Sequence, residues 1–212
     1  MIRVLFLSIV GLLTAAAWSV EPEREPRPFR TDSQKQEVLN FSLLDYRGKY
    51  HELHRTEAKV VILFSTGNGC PIARQSVSKL RAARKRLPEK SAVVWMINSN
   101  SQDDRASVAE EAAELKVGST PILLDENQLV ARALGVKRTA EVICIDTEDW
   151  TVFYRGAIDD QLKEGAKRPQ PTEKYLENAL TEFFAGRPIT KPRTAVSGCL
   201  IQFDPAPPET EI

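Results

Sequence analysis

The segment that most constrains the fold is Val60–Arg74, with the sequence VVILFSTGNGCPIAR. A run of apolar residues ends in several turn formers, and Cys70 and Pro71 follow directly before an amphipathic pattern. Because proline has no N–H to lose and its fixed φ suits a first helical position, the order predicts a helix that begins at Pro71 with Cys70 at its N-cap. Unpaired N–H groups and the helix dipole favour a thiolate there. The sequence therefore predicts an accessible, reactive sulfur at the carboxyl end of a buried strand.

Strand and helix patterns alternate along the rest of the chain. Ala92–Ile97 is continuously apolar, as is typical of a strand covered on both faces, whereas Pro71–Leu87 has apolar residues at helical spacing. The other predicted elements are strands Asn40–Asp45 and Tyr50–Leu53, a helix ending near Leu115, strand Ile122–Leu124, helix Gln128–Leu134, strands Glu141–Asp146 and Thr151–Tyr154, and helix Thr172–Ala185. Alternation followed by a terminal hairpin predicts an α/β sandwich around a mixed sheet.

Both ends of the chain lie outside this predicted domain, which spans residues 38–187. Residues 1–19 have the pattern of a secretory signal peptide, with one arginine, an apolar run and small residues at a cleavage site. The apolar run is short for a membrane span, and an uncleaved anchor helix is the alternative. Residues 20–37 are charged and proline-rich, which predicts a linker. Residues 188–212 form a C-terminal extension. We therefore expect an exported protein, periplasmic or extracellular, in a compartment where disulfides persist.

Charge and length narrow the classes of partner. The 29 Lys and Arg residues equal the 29 Asp and Glu residues, so the chain lacks the basic excess of a nucleic-acid-binding protein. A chain of 212 residues can bury one core. We expect no nucleic-acid partner, and contact with a membrane only through the signal segment if it stays uncleaved.

Five stretches together resemble a known group of proteins. They are Asn40–Asp45 with Gly48-Lys49 and Leu53, the Phe64 to Cys70-Pro71 turn, Pro121–Asp125, Ala133–Val136 followed by Val142–Asp146, and Tyr154–Gly156. In this order they resemble the thioredoxin-like superfamily, and within it the redoxin family of alkyl hydroperoxide reductases and thiol-specific antioxidants (AhpC/TSA). The resemblance implies a three-layer sandwich with a central mixed sheet. It also implies Cys70 as the nucleophile, a peroxide or disulfide as substrate, and a partner dithiol as reductant, with no organic cofactor.

The active-site turn departs from the patterns of that family at three positions. Ala73 stands where a dithiol oxidoreductase has its second cysteine, which excludes a CxxC cycle. Gly67 stands where peroxiredoxins carry a threonine or serine, and Thr66 is the nearest hydroxyl. Ala140 stands where a cis-proline or an arginine is usual, and Arg138-Thr139 is close but out of register. Neither catalytic constellation is therefore complete in the sequence.

Cys199, in the extension, is the candidate resolving cysteine. A sulfenic acid on Cys70 would condense with its thiol to a disulfide that a reductant reopens. Arg74, one helical turn after Cys70, is predicted to stabilise the thiolate. The sequence thus favours an exported thiol-dependent oxidoreductase or antioxidant. The alternative is a catalytically silent binding module in which Cys70 and Cys199 form a permanent disulfide.

We expect no catalytic or metal-binding role for Cys144 or for the two histidines. Cys144 lies among β-branched residues of a predicted strand and is expected to behave as a buried hydrophobic residue. His51 and His54 lie three positions apart in the predicted hairpin, so their rings should point to opposite faces. The copper-binding relatives of this fold use a paired-cysteine motif that is absent here, and no metal is expected.

Overall fold

A computed structural model of the chain describes residues 36–163 and 166–205. The predicted signal peptide and all but the last two residues of the predicted linker lie outside the described residues. The strands are β1 Ser42–Leu44, β2 Tyr50–Glu52, β3 Val60–Thr66, β4 Ala92–Asn98, β5 Ile122–Leu124, β6 Val142–Asp146, β7 Thr151–Gly156, β8 Leu162–Lys163 and β9 Ala166–Lys167. The α-helices are α1 Pro71–Lys85, α2 Arg105–Glu114, α3 Leu129–Leu134 and α4 Tyr175–Phe184, and a 3-10 turn spans Leu53–Arg55. No helix within these described ranges is long and apolar enough to span a membrane.

The central sheet has the strand order β5-β4-β3-β6-β7. Strands β3, β4 and β5 are parallel, whereas β6 is antiparallel to both β3 and β7. All seven residues of β3 are buried, as its apolar sequence predicts for the middle strand. Because β6 runs antiparallel to β3, the start of β6 lies beside the end of β3, where the Cys70 loop begins. Ser65 N donates to Glu141 O at 2.9 Å and Ala140 N donates to Ser65 O at 2.7 Å, which fixes the two loops together.

The core is divided by the sheet into two layers. Alternate residues of β3 point to opposite faces, so that Val60, Ile62 and Phe64 pack on one side and Val61 and Leu63 on the other. The first side is covered by α1, α2 and α4, and the second by α3 together with the β1–β2 hairpin region. The predicted α/β sandwich around a mixed sheet is therefore confirmed.

The described part of the C-terminal extension packs against the domain. It first follows the outer edge of β7, where Arg155 N donates to Pro192 O at 2.9 Å and Thr194 N donates to Arg155 O at 3.1 Å. It then crosses the loop before β6, where Thr139 N donates to Cys199 O at 2.9 Å. Ile201 is buried in the core on the α3 side of the sheet. These contacts bring Cys199 back to the carboxyl end of β3.

Candidate active site

Cys70 is the N-cap residue of α1, and Pro71 is the first residue of that helix, as the sequence predicts. The backbone of Cys70 is extended, with φ −68° and ψ 113°, and its Sγ accepts a hydrogen bond from Ala73 N at 3.5 Å. The sulfur thus takes the place that a serine or aspartate oxygen has at an ordinary N-cap. A negative charge on this atom is favoured by the amide groups of the first turn.

Two other parts of the chain, the loop before β6 and the C-terminal extension, lie beside the Cys70 sulfur. Thr139 Oγ1 donates to Cys70 Sγ at 3.0 Å. Cys199 lies on the other side of Thr139, whose N–H and hydroxyl donate to Cys199 O at 2.9 Å and 3.4 Å. Burial alone would raise the pKa of the Cys70 thiol, but the hydrogen bonds from Thr139, Ala73 and Cys199 outweigh it, and the pKa lies below its ordinary value. Cys70 therefore ionises more readily than an ordinary cysteine thiol.

The two neighbouring thiols differ in their tendency to ionise. The hydrogen bond to Cys70, followed by partial burial, raises the pKa of the Cys199 thiol above its ordinary value. The thiol of Cys70 is therefore the more acidic of the two. Both residues are free cysteines in the structure. The predicted nucleophile and the predicted resolving residue are thus brought together.

The solvent exposure of Cys70 differs from what the sequence predicts. Cys70 is only 3% exposed, whereas Cys199 is exposed. The extension covers Cys70, and it lies so close to the loop before β6 that a Cβ on Gly198 would be 1.7 Å from Thr139 O. Arg138 holds the extension there by donating from Nη1 to Gly198 O at 2.7 Å. The expected accessible Cys70 is therefore wrong, because an irregular segment with no periodic pattern folds over it.

Arg74 does not hydrogen-bond to the sulfur. Its Nε donates to Glu111 Oε1 at 2.8 Å, and its Nη2 donates to Glu114 Oε2 at 2.8 Å. The guanidinium is thus bound by two carboxylates of α2, and the structure gives no support to its predicted role at Cys70. Its spacing along α1 is as predicted, but the sequence does not reveal which neighbouring helix binds its side chain.

The hydroxyl at Cys70 comes from Thr139 rather than from Thr66. Thr66 is the last residue of β3, buried and paired with Asn98 of β4. From the sequence, Thr139 is close to the position of the usual cis-proline or arginine but out of register with it, and no role is predicted for it. No local pattern in the sequence indicates this contact, because it depends on the pairing of β6 with β3. The missing side chain at Gly67 leaves room for it, since a Cβ there would lie 3.0 Å from Thr139 Cγ2.

The two histidines and the third cysteine lie away from the Cys70 site. His51 Nε2 is 3.1 Å from Asp45 Oδ2, and the ring of His54 stacks on Trp150 with the ring centroids 4.1 Å apart. Burial raises the pKa of Cys144, which is fully enclosed in β6. Among the described residues, no three metal-ligating side chains form a cluster. None of these groups joins the Cys70 site.

Comparison with known proteins gives one family and several similar folds. The model of the AhpC/TSA family matches residues 35–158. An uncharacterized conserved protein from Geobacillus kaustophilus is 24% identical with a TM-score of 0.70, and covers 82% of this chain and 93% of its own. A hypothetical protein from Sinorhizobium meliloti 1021 is 22% identical with a TM-score of 0.71, and the match covers 82% of this chain and 96% of that protein. The thioredoxin domain of a thiol-disulfide oxidoreductase from Bacteroides vulgatus is 15% identical with a TM-score of 0.53, and the match covers 72% of this chain and 99% of that domain.

At these identities the structural similarity establishes the fold alone, which is thioredoxin-like as the sequence predicts. No curated protein sequence matches the chain.

Proposed function

Since the chain belongs to the AhpC/TSA family, we propose that it is a thiol-dependent oxidoreductase in which Cys70 and Cys199 cycle between dithiol and disulfide. One observation carries the proposal: Thr139 Oγ1 lies 3.0 Å from Cys70 Sγ and 3.4 Å from Cys199 O, so that the two cysteines meet at one residue beside the first turn of α1. A sulfur that ionises readily and a second thiol in contact with it are what a disulfide-forming cycle needs. The signal-like sequence of residues 1–19 supports an exported site of action.

The first chemical step consumes an oxidant at Cys70. The thiolate attacks one oxygen of a hydroperoxide, an S–O bond forms as the O–O bond breaks, and the other oxygen leaves as an alcohol or water after taking a proton. The Cys199 sulfur then attacks the sulfenic sulfur, the S–S bond forms, and the S–O bond breaks with loss of water. The 3% exposure of Cys70 favours a small peroxide over a protein disulfide in this step.

The second half of the cycle reduces the disulfide. A thiolate of a partner dithiol attacks the exposed Cys199 sulfur and Cys70 leaves as a thiolate, which its lowered pKa favours. The second thiol of the partner then attacks the partner's sulfur in the mixed disulfide and releases Cys199 as a thiol. The partner leaves as a disulfide, having given two electrons to the protein. No organic cofactor takes part in this scheme.

A second candidate function is a binding module stapled by a permanent Cys70–Cys199 disulfide. The observation that favours it is the cover over Cys70, since the extension is hydrogen-bonded along β7 and along the loop before β6. A disulfide closed beneath such a cover would be slow to reduce.

Peroxide titration of the reduced protein distinguishes the two functions. We expect each hydrogen peroxide to consume two thiols with formation of one intramolecular disulfide, and mild dithiothreitol to restore both thiols over repeated cycles. Cys70→Ser should lower peroxide consumption to the rate of buffer, whereas the control Cys144→Ala, at the enclosed thiol of β6, should leave the cycle intact. Peroxide consumption at the buffer rate by the unchanged protein, or a disulfide that resists the reductant, would favour the stapled module.

A further inference from the structure

Thr139 lies between the two cysteines and contacts both of them. It is 3% exposed and belongs to the loop that precedes β6. Its Oγ1 is 3.0 Å from Cys70 Sγ and 3.4 Å from Cys199 O, and its backbone N–H already donates to that carbonyl at 2.9 Å. The hydroxyl proton thus has two acceptors. Because a hydrogen bond to a charged acceptor is stronger than one to a neutral acceptor, the proton points to the sulfur when Cys70 is a thiolate.

Two glycines approach Thr139 closely from two sides. A Cβ on Gly67, in the Cys70 loop, would lie 3.0 Å from Thr139 Cγ2. A Cβ on Gly198, in the extension, would lie 2.9 Å from Thr139 Oγ1 and closer still to its carbonyl group. The next residue, Ala140, has φ 61°, a left-handed conformation that turns the chain sharply at this point. The hydroxyl is therefore fixed beside the sulfur before any substrate arrives, and preorganised donors of this kind act without reorganisation cost.

We propose that Thr139 is a catalytic residue whose hydroxyl stabilises the Cys70 thiolate and, through Cys199 O, keeps the resolving cysteine in reach. A catalytic role for Thr139 depends on the redox cycle proposed above. While Cys70 carries its proton, the S–H donates to Thr139 Oγ1 and the hydroxyl donates to Cys199 O. When that proton is lost, the hydroxyl turns to donate to the sulfur, and after disulfide formation Cys199 O is its remaining acceptor.

The ionisation of Cys70 can be measured without turnover. We would replace Cys199 by alanine, so that Cys70 keeps Thr139 and the backbone amides as donors, and follow thiolate formation by ultraviolet absorbance against pH. The second thiol left in this background, Cys144, is buried and its pKa is raised. In that background Thr139→Val should move the midpoint upward by about one pH unit, an approximately tenfold loss of thiolate below the midpoint. Thr139→Ser keeps the hydroxyl and should restore the midpoint.

Turnover gives the second readout. In the chain with both cysteines, Thr139→Val should slow disulfide formation by peroxide about tenfold, and Thr139→Ser should recover most of the rate. An unmoved midpoint in a folded Thr139→Val protein, or failure of Thr139→Ser to restore it, would overturn the assignment. If the unchanged protein consumes no peroxide, the proposed function falls, whereas the pH midpoint still tests the contact between Thr139 and Cys70.

Discussion

Hydrogen bonds, rather than a neighbouring cation, lower the pKa of Cys70. Thr139, Ala73 and Cys199 supply these bonds, and the positive charge of Arg74 is bound by Glu111 and Glu114. Buried hydrogen bonds are much less screened by salt than charges at the surface. The reactivity of this sulfur should therefore depend on the geometry of a few donors and only weakly on ionic strength.

Replacing Arg74 tests this distinction between stability and reactivity. Arg74→Ala should leave the pH midpoint of Cys70 ionisation unchanged, because the guanidinium does not hydrogen-bond to the sulfur. It should lower the free energy of unfolding, because the buried Glu111 carboxylate loses its partner. Urea unfolding and ultraviolet titration measure the two quantities.

The matched control for Arg74 is Arg81, which lies on the same helix and donates to Lys116 O. Arg81→Ala should change stability by no more than about 0.5 kcal/mol. A higher pH midpoint of Cys70 ionisation in Arg74→Ala would show that the arginine does stabilise the thiolate.

At the level of whole elements, the sequence predicts the helices and strands whose apolar residues follow a regular pattern. Helix α1 begins at Pro71 as expected, and β3 and β4 occupy the middle of the sheet as their continuous apolar runs indicate. Pairing of the Thr139 loop with Cys70 depends on the antiparallel placement of β6 against β3, a tertiary fact that no local pattern encodes. The cover over Cys70 depends on the fit of single glycines against backbone atoms, which is also invisible in a sequence.

Gly198 provides a way to move the extension without altering either cysteine. Its Cβ would lie 1.7 Å from Thr139 O, so Gly198→Ala must displace the segment that carries Cys199. We expect alkylation of Cys70 by iodoacetamide to accelerate at least about tenfold and disulfide formation to slow, with a loss of roughly 1–3 kcal/mol in unfolding free energy. Rates of thiol modification and of disulfide formation, followed by mass spectrometry, measure both effects.

Leu200→Ala is the control for this displacement, because Leu200 follows Cys199 and its side chain is 69% exposed. It should change neither rate by more than about twofold. Equal Cys70 alkylation in Gly198→Ala and the unchanged protein would show that the extension is not what limits access to the sulfur.

For the whole molecule, a disulfide between Cys70 and Cys199 would couple redox state to folding through the extension. Cys70 and Cys199 lie far apart in the sequence, and they meet only because the extension follows β7 and returns to the carboxyl end of β3. A disulfide between them would close most of the folded domain into one loop. By linkage, the amount by which the disulfide stabilises the fold equals the amount by which the fold stabilises the disulfide. Unfolding experiments therefore measure which of the two proposed functions the cysteine pair serves.

A structural staple and a catalytic pair predict different stabilisation by the disulfide. Closing a loop of roughly 130 residues would stabilise the fold by about 5 kcal/mol in the chain-entropy model, which places the reduction potential roughly 100 mV below that of the unfolded chain. Hydrogen bonds to the Cys70 thiolate stabilise the reduced protein and oppose this gain. The redox cycle requires a readily reduced pair, so we expect oxidation to add less than about 2 kcal/mol in urea unfolding, with Cys199→Ser insensitive to reductant. A gain near the full 5 kcal/mol would identify the pair as a staple.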